Sequence, residues 1–122
     1  MRPSVKVWIG FQGKSLVSDV VKAAGFALGD DVCPWDWETP RKGVEWECIY
    51  GDDGNTLVGF GLPLLQVLGS RWGDPHIESL NLNGLEREAE SLKLALVEFL
   101  ERRQVPTALV NKVDTWICPE FG

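Results

Sequence analysis

Apolar and polar positions change period several times along the chain, and each change marks an element. Val5 to Phe11 is rich in Val, Trp and Ile, which predicts a strand. Gly10 and Gly13 then bracket a turn. Leu16, Val17, Val20, Val21, Ala24 and Leu28 recur at spacings of three and four, which predicts a helix over Leu16 to Leu28 with one apolar stripe. Ser15 stands where a capping side chain belongs, and Gly29 where the helix stops.

Residues 29–43 read as an irregular loop, punctuated by Pro34, Pro40 and Gly43. Val44 to Tyr50 alternates: Val44, Trp46, Cys48 and Tyr50 share one face, and Glu45, Glu47 and Ile49 the other. The turn sequence GDDGN comes next, and Thr56 to Phe60 returns as the second strand of a hairpin. Leu62 to Ser70 reads as a short helix with Pro63 in its first turn.

Leu85 to Gln104 is the most strongly patterned helix, with Leu85, Ala89, Leu92, Leu96 and Phe99 as its buried stripe. Asn83 and Glu86 have the spacing of a capping box, and Pro106 ends the helix. A strand over Ala108 to Cys118 closes the chain. The order β-α-β-β-(short α)-α-β predicts a single compact α+β domain over residues 1–122. Its sheet is mostly antiparallel, with two main helices on one face. The ferredoxin-like split βαβ arrangement is one candidate topology.

The chain has 122 residues, the length of one domain with a core of its own. No apolar run approaches the roughly 20 residues of a membrane-spanning helix, so no membrane association is expected. Only Val7, Trp8 and Ile9 stand between the basic start and Gly10, so no secretory signal is expected either. Three cysteines, Cys33, Cys48 and Cys118, lie far apart, which suits reduced thiols in a cytoplasm.

Charge sharpens the picture. The net charge is −6. Residues 30–54 carry Asp30, Asp31, Asp36, Glu38, Glu45, Glu47, Asp52 and Asp53 against Arg41 and Lys42 alone. An acidic chain is poorly matched to a phosphate backbone, so direct nucleic-acid binding is not expected. It is better matched to a basic protein.

Recognisable chemistry is sparse. Gly13-Lys14-Ser15 has the tail of a phosphate loop, but such a loop needs glycine at position 8, where Trp8 stands. The three cysteines and His76 would make four zinc ligands, yet none are closely paired, and no metal or cofactor is expected. A Cys–His nucleophile pair, or an acid pair at Glu45 and Glu47, needs geometry that this spacing does not impose.

What stands out is tryptophan, six in all. Trp8, Trp46 and Trp116 read as core. Trp35 and Trp37 flank Asp36 in the acidic loop, where aromatic area beside carboxylates suits a binding hot spot. The leading expectation is a non-enzymatic, cytoplasmic inhibitor that occludes a basic site on a partner such as a nuclease or toxin. Toxin-neutralising immunity proteins and anti-defence inhibitors have this character. The contact residues would be Asp30, Asp31, Trp35, Asp36, Trp37, Glu38, Asp52 and Asp53. One alternative is a small ligand-binding or enzymatic domain with a pocket around Trp35, Trp72 and His76, with Cys33 beside them. Another is a structural subunit that self-associates through Phe60 to Gly69.

Overall fold

A computed structural model describes residues 3–26, 37–68 and 82–121. The elements run β1 (Pro3–Gln12), α1 (Lys14–Ala23), β2 (Glu47–Tyr50), β3 (Leu57–Leu68), α2 (Leu82–Arg102), α3 (Thr107–Val110) and β4 (Asp114–Phe121). The strands form one sheet in the order β2-β3-β1-β4, and each neighbouring pair is antiparallel. In each half of the chain a helix joins two strands that a third strand separates. This is the split βαβ plan.

Period-two alternation places Ile9 and Phe11 of β1, and Phe60 and Leu62 of β3, on one face. Val17, Val20 and Val21 of α1 and Leu92, Leu96, Phe99 and Leu100 of α2 pack onto that face in one core cluster. Burying each such side chain contributes roughly 1.5–3 kcal/mol before chain entropy is counted.

β1 and β3 approach closely at Gly10 and Gly61, which are partners in register. A Cβ on Gly61 would lie 2.1 Å from the Ile9 carbonyl oxygen, and one on Gly10 would lie 2.2 Å from that of Phe60. Gly10 is therefore a strand residue needed for close approach, not a turn residue as its composition suggested.

Several boundaries differ from the sequence expectation. α1 ends at Ala23 and does not reach Leu28. Gly25 takes φ 86°, its N–H donates to the Lys22 carbonyl, and the Phe26 N–H reaches back to Val21 at 3.1 Å. This double closure ends the helix ahead of Gly29, because Gly25 adopts the left-handed conformation at no steric cost. Gly29 itself lies outside the described residues. At the other end Gly13 occupies the cap position and no side chain caps the helix, so Ser15 sits inside the first turn.

The helix expected over Leu62 to Ser70 is strand instead: β3 continues to Leu68. Pro63 cannot donate to a ladder, and the register slips beside it, between Val7 and Trp8. Pro63 stands opposite Trp8 of β1, while β2 pairs with β3 only as far as Gly61.

β2 is shorter than expected, and a register shift between Ile49 and Tyr50 leaves Tyr50 47% exposed instead of sharing the face of Trp46 and Cys48. α2 starts at Leu82, which places Asn83 within the helix and removes the capping box. Its end repeats the closure of α1: Gln104 takes φ 63°, and the Val105 N–H donates to Leu100 at 3.0 Å. The short helix α3 then occupies the start of the expected final strand, and β4 begins at Asp114.

Candidate interaction surface

The acidic segment enters the described structure at Trp37. Asp30, Asp31, Trp35 and Asp36 lie outside the described residues, as do Cys33, Trp72 and His76. From Trp37 onward an irregular run leads into β2. Its aromatic side chains pack against the core, and the carboxylates of Glu38 and Glu45 stand in water.

Trp37 is half-buried. Its ring stacks on Phe26 with centroids 4.8 Å apart and 5° between planes, and meets Phe60 edge-on at 5.8 Å. Trp46 is buried, stacks on Phe60 at 4.4 Å and meets Phe99 edge-on. Its indole N–H donates to the Glu38 carbonyl at 2.9 Å, which closes the run upon itself. Offset and edge-on aromatic pairs add about 0.5–1.5 kcal/mol each beyond their area.

Two arginines tie this run to α2. Arg41 donates to Glu88 at 2.8 Å and to the Ser91 hydroxyl. Arg103, beside the C-terminus of α2, pairs with Glu38 at 3.0 Å. Glu38 remains 71% exposed in that pair, so the pair is worth little on its own. Arg103 also donates from Nε to the Ala24 carbonyl at 2.6 Å and lies over the Phe26 and Phe99 rings.

Asp52 and Asp53 occupy the β2–β3 turn, and both are exposed. The Asp53 carboxylate accepts from the Thr56 hydroxyl and from the backbone N–H groups of Asn55 and Thr56, at 2.9 and 2.8 Å. The Thr56 side chain, then the backbone donors, hold its pKa down at about 2. Asp53 is therefore charged throughout the physiological range. Glu45 is exposed, while Glu47 pairs with Lys6 at 3.4 Å across the other sheet face.

That other face carries a feature the sequence did not announce. Trp8 and Ile49 crowd above Gly59, where a Cβ would lie 2.9 Å from each. The Trp8 indole donates to the Phe11 carbonyl at 3.1 Å, and the Trp116 indole to the Gly10 carbonyl at 3.0 Å. Beside them lies a cleft of about 330 Å³ lined by Trp8, Gln12, Ile49, Val58, Trp116, Ile117 and Cys118. With both indole donors satisfied internally, the walls offer apolar surface and few polar groups. The hidden signal was the alternation of Trp8 with Ile9 and of Ile49 with Cys48: each residue pair serves opposite faces.

Cys48 packs against the core, and burial, with Glu47 adding to it, pushes its thiol up to about 12. Among the described residues, no group of three His, Cys, Asp or Glu is arranged to hold a metal ion. Gly13 of the Gly-Lys-Ser run donates its N–H to the Val58 carbonyl at 2.8 Å, so it serves the fold. Phe60 and Leu62, expected in a self-association patch, point into the core with no exposed surface. No described helix is long and apolar enough to cross a membrane. No protein-family model, curated protein or solved structure matches the chain.

Proposed function

We propose that the protein is a non-enzymatic, cytoplasmic binding protein that occludes a basic site on a partner protein, in the manner of an immunity protein or anti-defence inhibitor. The observation that supports this reading is the division of labour within the acidic segment. Its indoles at Trp37 and Trp46 and its arginine ties hold the backbone, while the carboxylates of Glu38, Glu45, Asp52 and Asp53 face water. A loop held in place before binding loses less entropy on association. Fixed exposed carboxylates accelerate encounter with a basic surface. In this reading Trp37 positions the segment from inside, and Asp30, Asp31, Trp35 and Asp36 extend the same acidic run.

The test is affinity capture from source-cell lysate at low and high salt, with the wild type and a Glu45→Lys/Asp52→Lys variant. A basic protein should be captured, released by salt, and bound more slowly by the variant, while thermal melting of the variant stays unchanged. Capture indifferent to both salt and charge reversal would reject the reading.

The cleft beside Trp8 and Trp116 favours a second reading, a small-ligand domain, although its lining differs from the expected pocket. Small apolar ligands that shift tryptophan fluorescence in the wild type but not in Val58→Trp would favour it.

A further inference from the structure

We propose that residues 37–46 form a strap that opens and closes as one unit over the aromatic end of the core, with Arg103 as its latch. Among the described residues, the strap's one backbone–backbone hydrogen bond is its own, from the Val44 N–H to the Arg41 carbonyl at 3.1 Å. The strap precedes β2 and, among the described residues, takes no part in the sheet. Side chains carry its ties to the body: Trp37 on Phe26, Trp46 on Phe60, Arg41 on Glu88 and Ser91, and Glu38 on Arg103. The bond from the Trp46 indole to the Glu38 carbonyl joins the two ends, so they move together.

Among the described residues, opening therefore breaks no sheet or helix ladder. A segment held in this way belongs to the low end of a protein's range of local stabilities. Arg103 is the latch because one guanidinium joins three parts of the chain. It bonds the Ala24 carbonyl at the end of α1, pairs with Glu38 of the strap, and lies 4.5 Å from the Phe26 ring centroid and 5.4 Å from that of Phe99. Phe26 is the ring on which Trp37 stacks, so the latch and the strap grip the same side chain. The closed strap is the populated state that holds the carboxylates in place; opening is a minor excursion from it, and this inference stands whether or not the segment binds a partner.

Hydrogen exchange of the full chain tests it, read at the Val44 amide and the Trp46 indole N–H. Arg103→Met keeps an apolar stem over the rings and removes the charged bonds. The two hydrogen-bonded N–H groups described in the strap, the Val44 amide and the Trp46 indole, should exchange together and about threefold faster in this variant, the scale of losing an exposed ion pair. Amides of β1 and β3 should keep their wild-type rates. Glu38→Gln, which leaves the guanidinium over the rings, should accelerate the same two groups by less, and it provides the same comparison should Arg103→Met fail to fold. A strap that exchanges in the wild type only as fast as the central amides of β1 and β3 would overturn the proposal. So would acceleration spread equally over all amides in either variant, or no acceleration in either.

Discussion

The paired centre of the sheet and the strap beside it are held by different physics. β1 and β3 lie side by side over nine registered pairs, and their apolar faces are sealed by two helices. The paired backbones supply ladder bonds, and Ile9, Phe11, Phe60 and Leu62 supply buried area. Among the described residues the strap has no ladder, and it is held by the Trp37 and Trp46 rings, the Val44 side chain and guanidinium groups at a few points. Repetitive backbone order makes the first region cooperative, while point attachment leaves the second able to move alone. The acidic character of the molecule is concentrated in and around the region with the weaker hold.

The sharpest probe of this contrast is Cys48, which lies in β2 just past the strap. With its thiol pushed up to about 12 from 9.0, its thiolate is suppressed roughly a thousandfold in the folded chain. Because the folded value is raised, the stability that this site contributes is complete below about pH 9 and is lost as pH climbs toward 12. Iodoacetamide labelling at Cys48, mapped by mass spectrometry near pH 8, should track global unfolding. Labelling at the strap's exchange rate would place β2 in the moving unit.

Next in size is the body itself. Leu96 is fully buried on α2, and Leu96→Ala should cost about 3 kcal/mol in urea unfolding. Trp37→Ala removes more atoms from a half-exposed ring, yet should cost only about 1–2 kcal/mol, since the strap relaxes where the core cannot. A Trp37 loss equal to that of Leu96 would erase the distinction between the two regions.

The smallest effect belongs to the turn. The folded pKa of Asp53 is depressed to about 2, so its contribution is present above about pH 4 and fades as pH falls toward 2. The stability gap between wild type and Asp53→Ala should therefore narrow over that window in denaturant titrations. A gap that stays constant would mean that Thr56 and Asn55 are held by the backbone alone.

Much of the architecture was legible in the chain. Hydrophobic spacing located both long helices and alternation marked the first strand of the hairpin, because burial on one side of a regular element leaves a periodic trace, while β1 showed in its content of Val, Trp and Ile. Composition also picked out the acidic segment. It failed where a local signal competes with pairing. Leu62 to Leu68 has the residues of a helix, and Pro63 the position of a helix start, but a strand already lies beside it as β1. The stopping point of α1 was misplaced because two glycines were available, and the backbone closure formed at the earlier one.

Trp37 shows where sequence reasoning ends. An indole between acids in an irregular loop can face a partner or its own core, and nothing local separates the two. The choice depends on Phe26, Phe60 and Arg103, which meet at this end of the core from three distant parts of the chain. Order along the chain thus determined the class of fold, the count of main helices and the site of negative charge, since each is a sum or a period over neighbours. Tertiary structure alone decided the glycine-to-glycine approach of β1 and β3, the inward turn of the Trp37 ring and the role of Arg103. Those are contacts between residues far apart in sequence, and their energies exist only once the chain has closed upon itself.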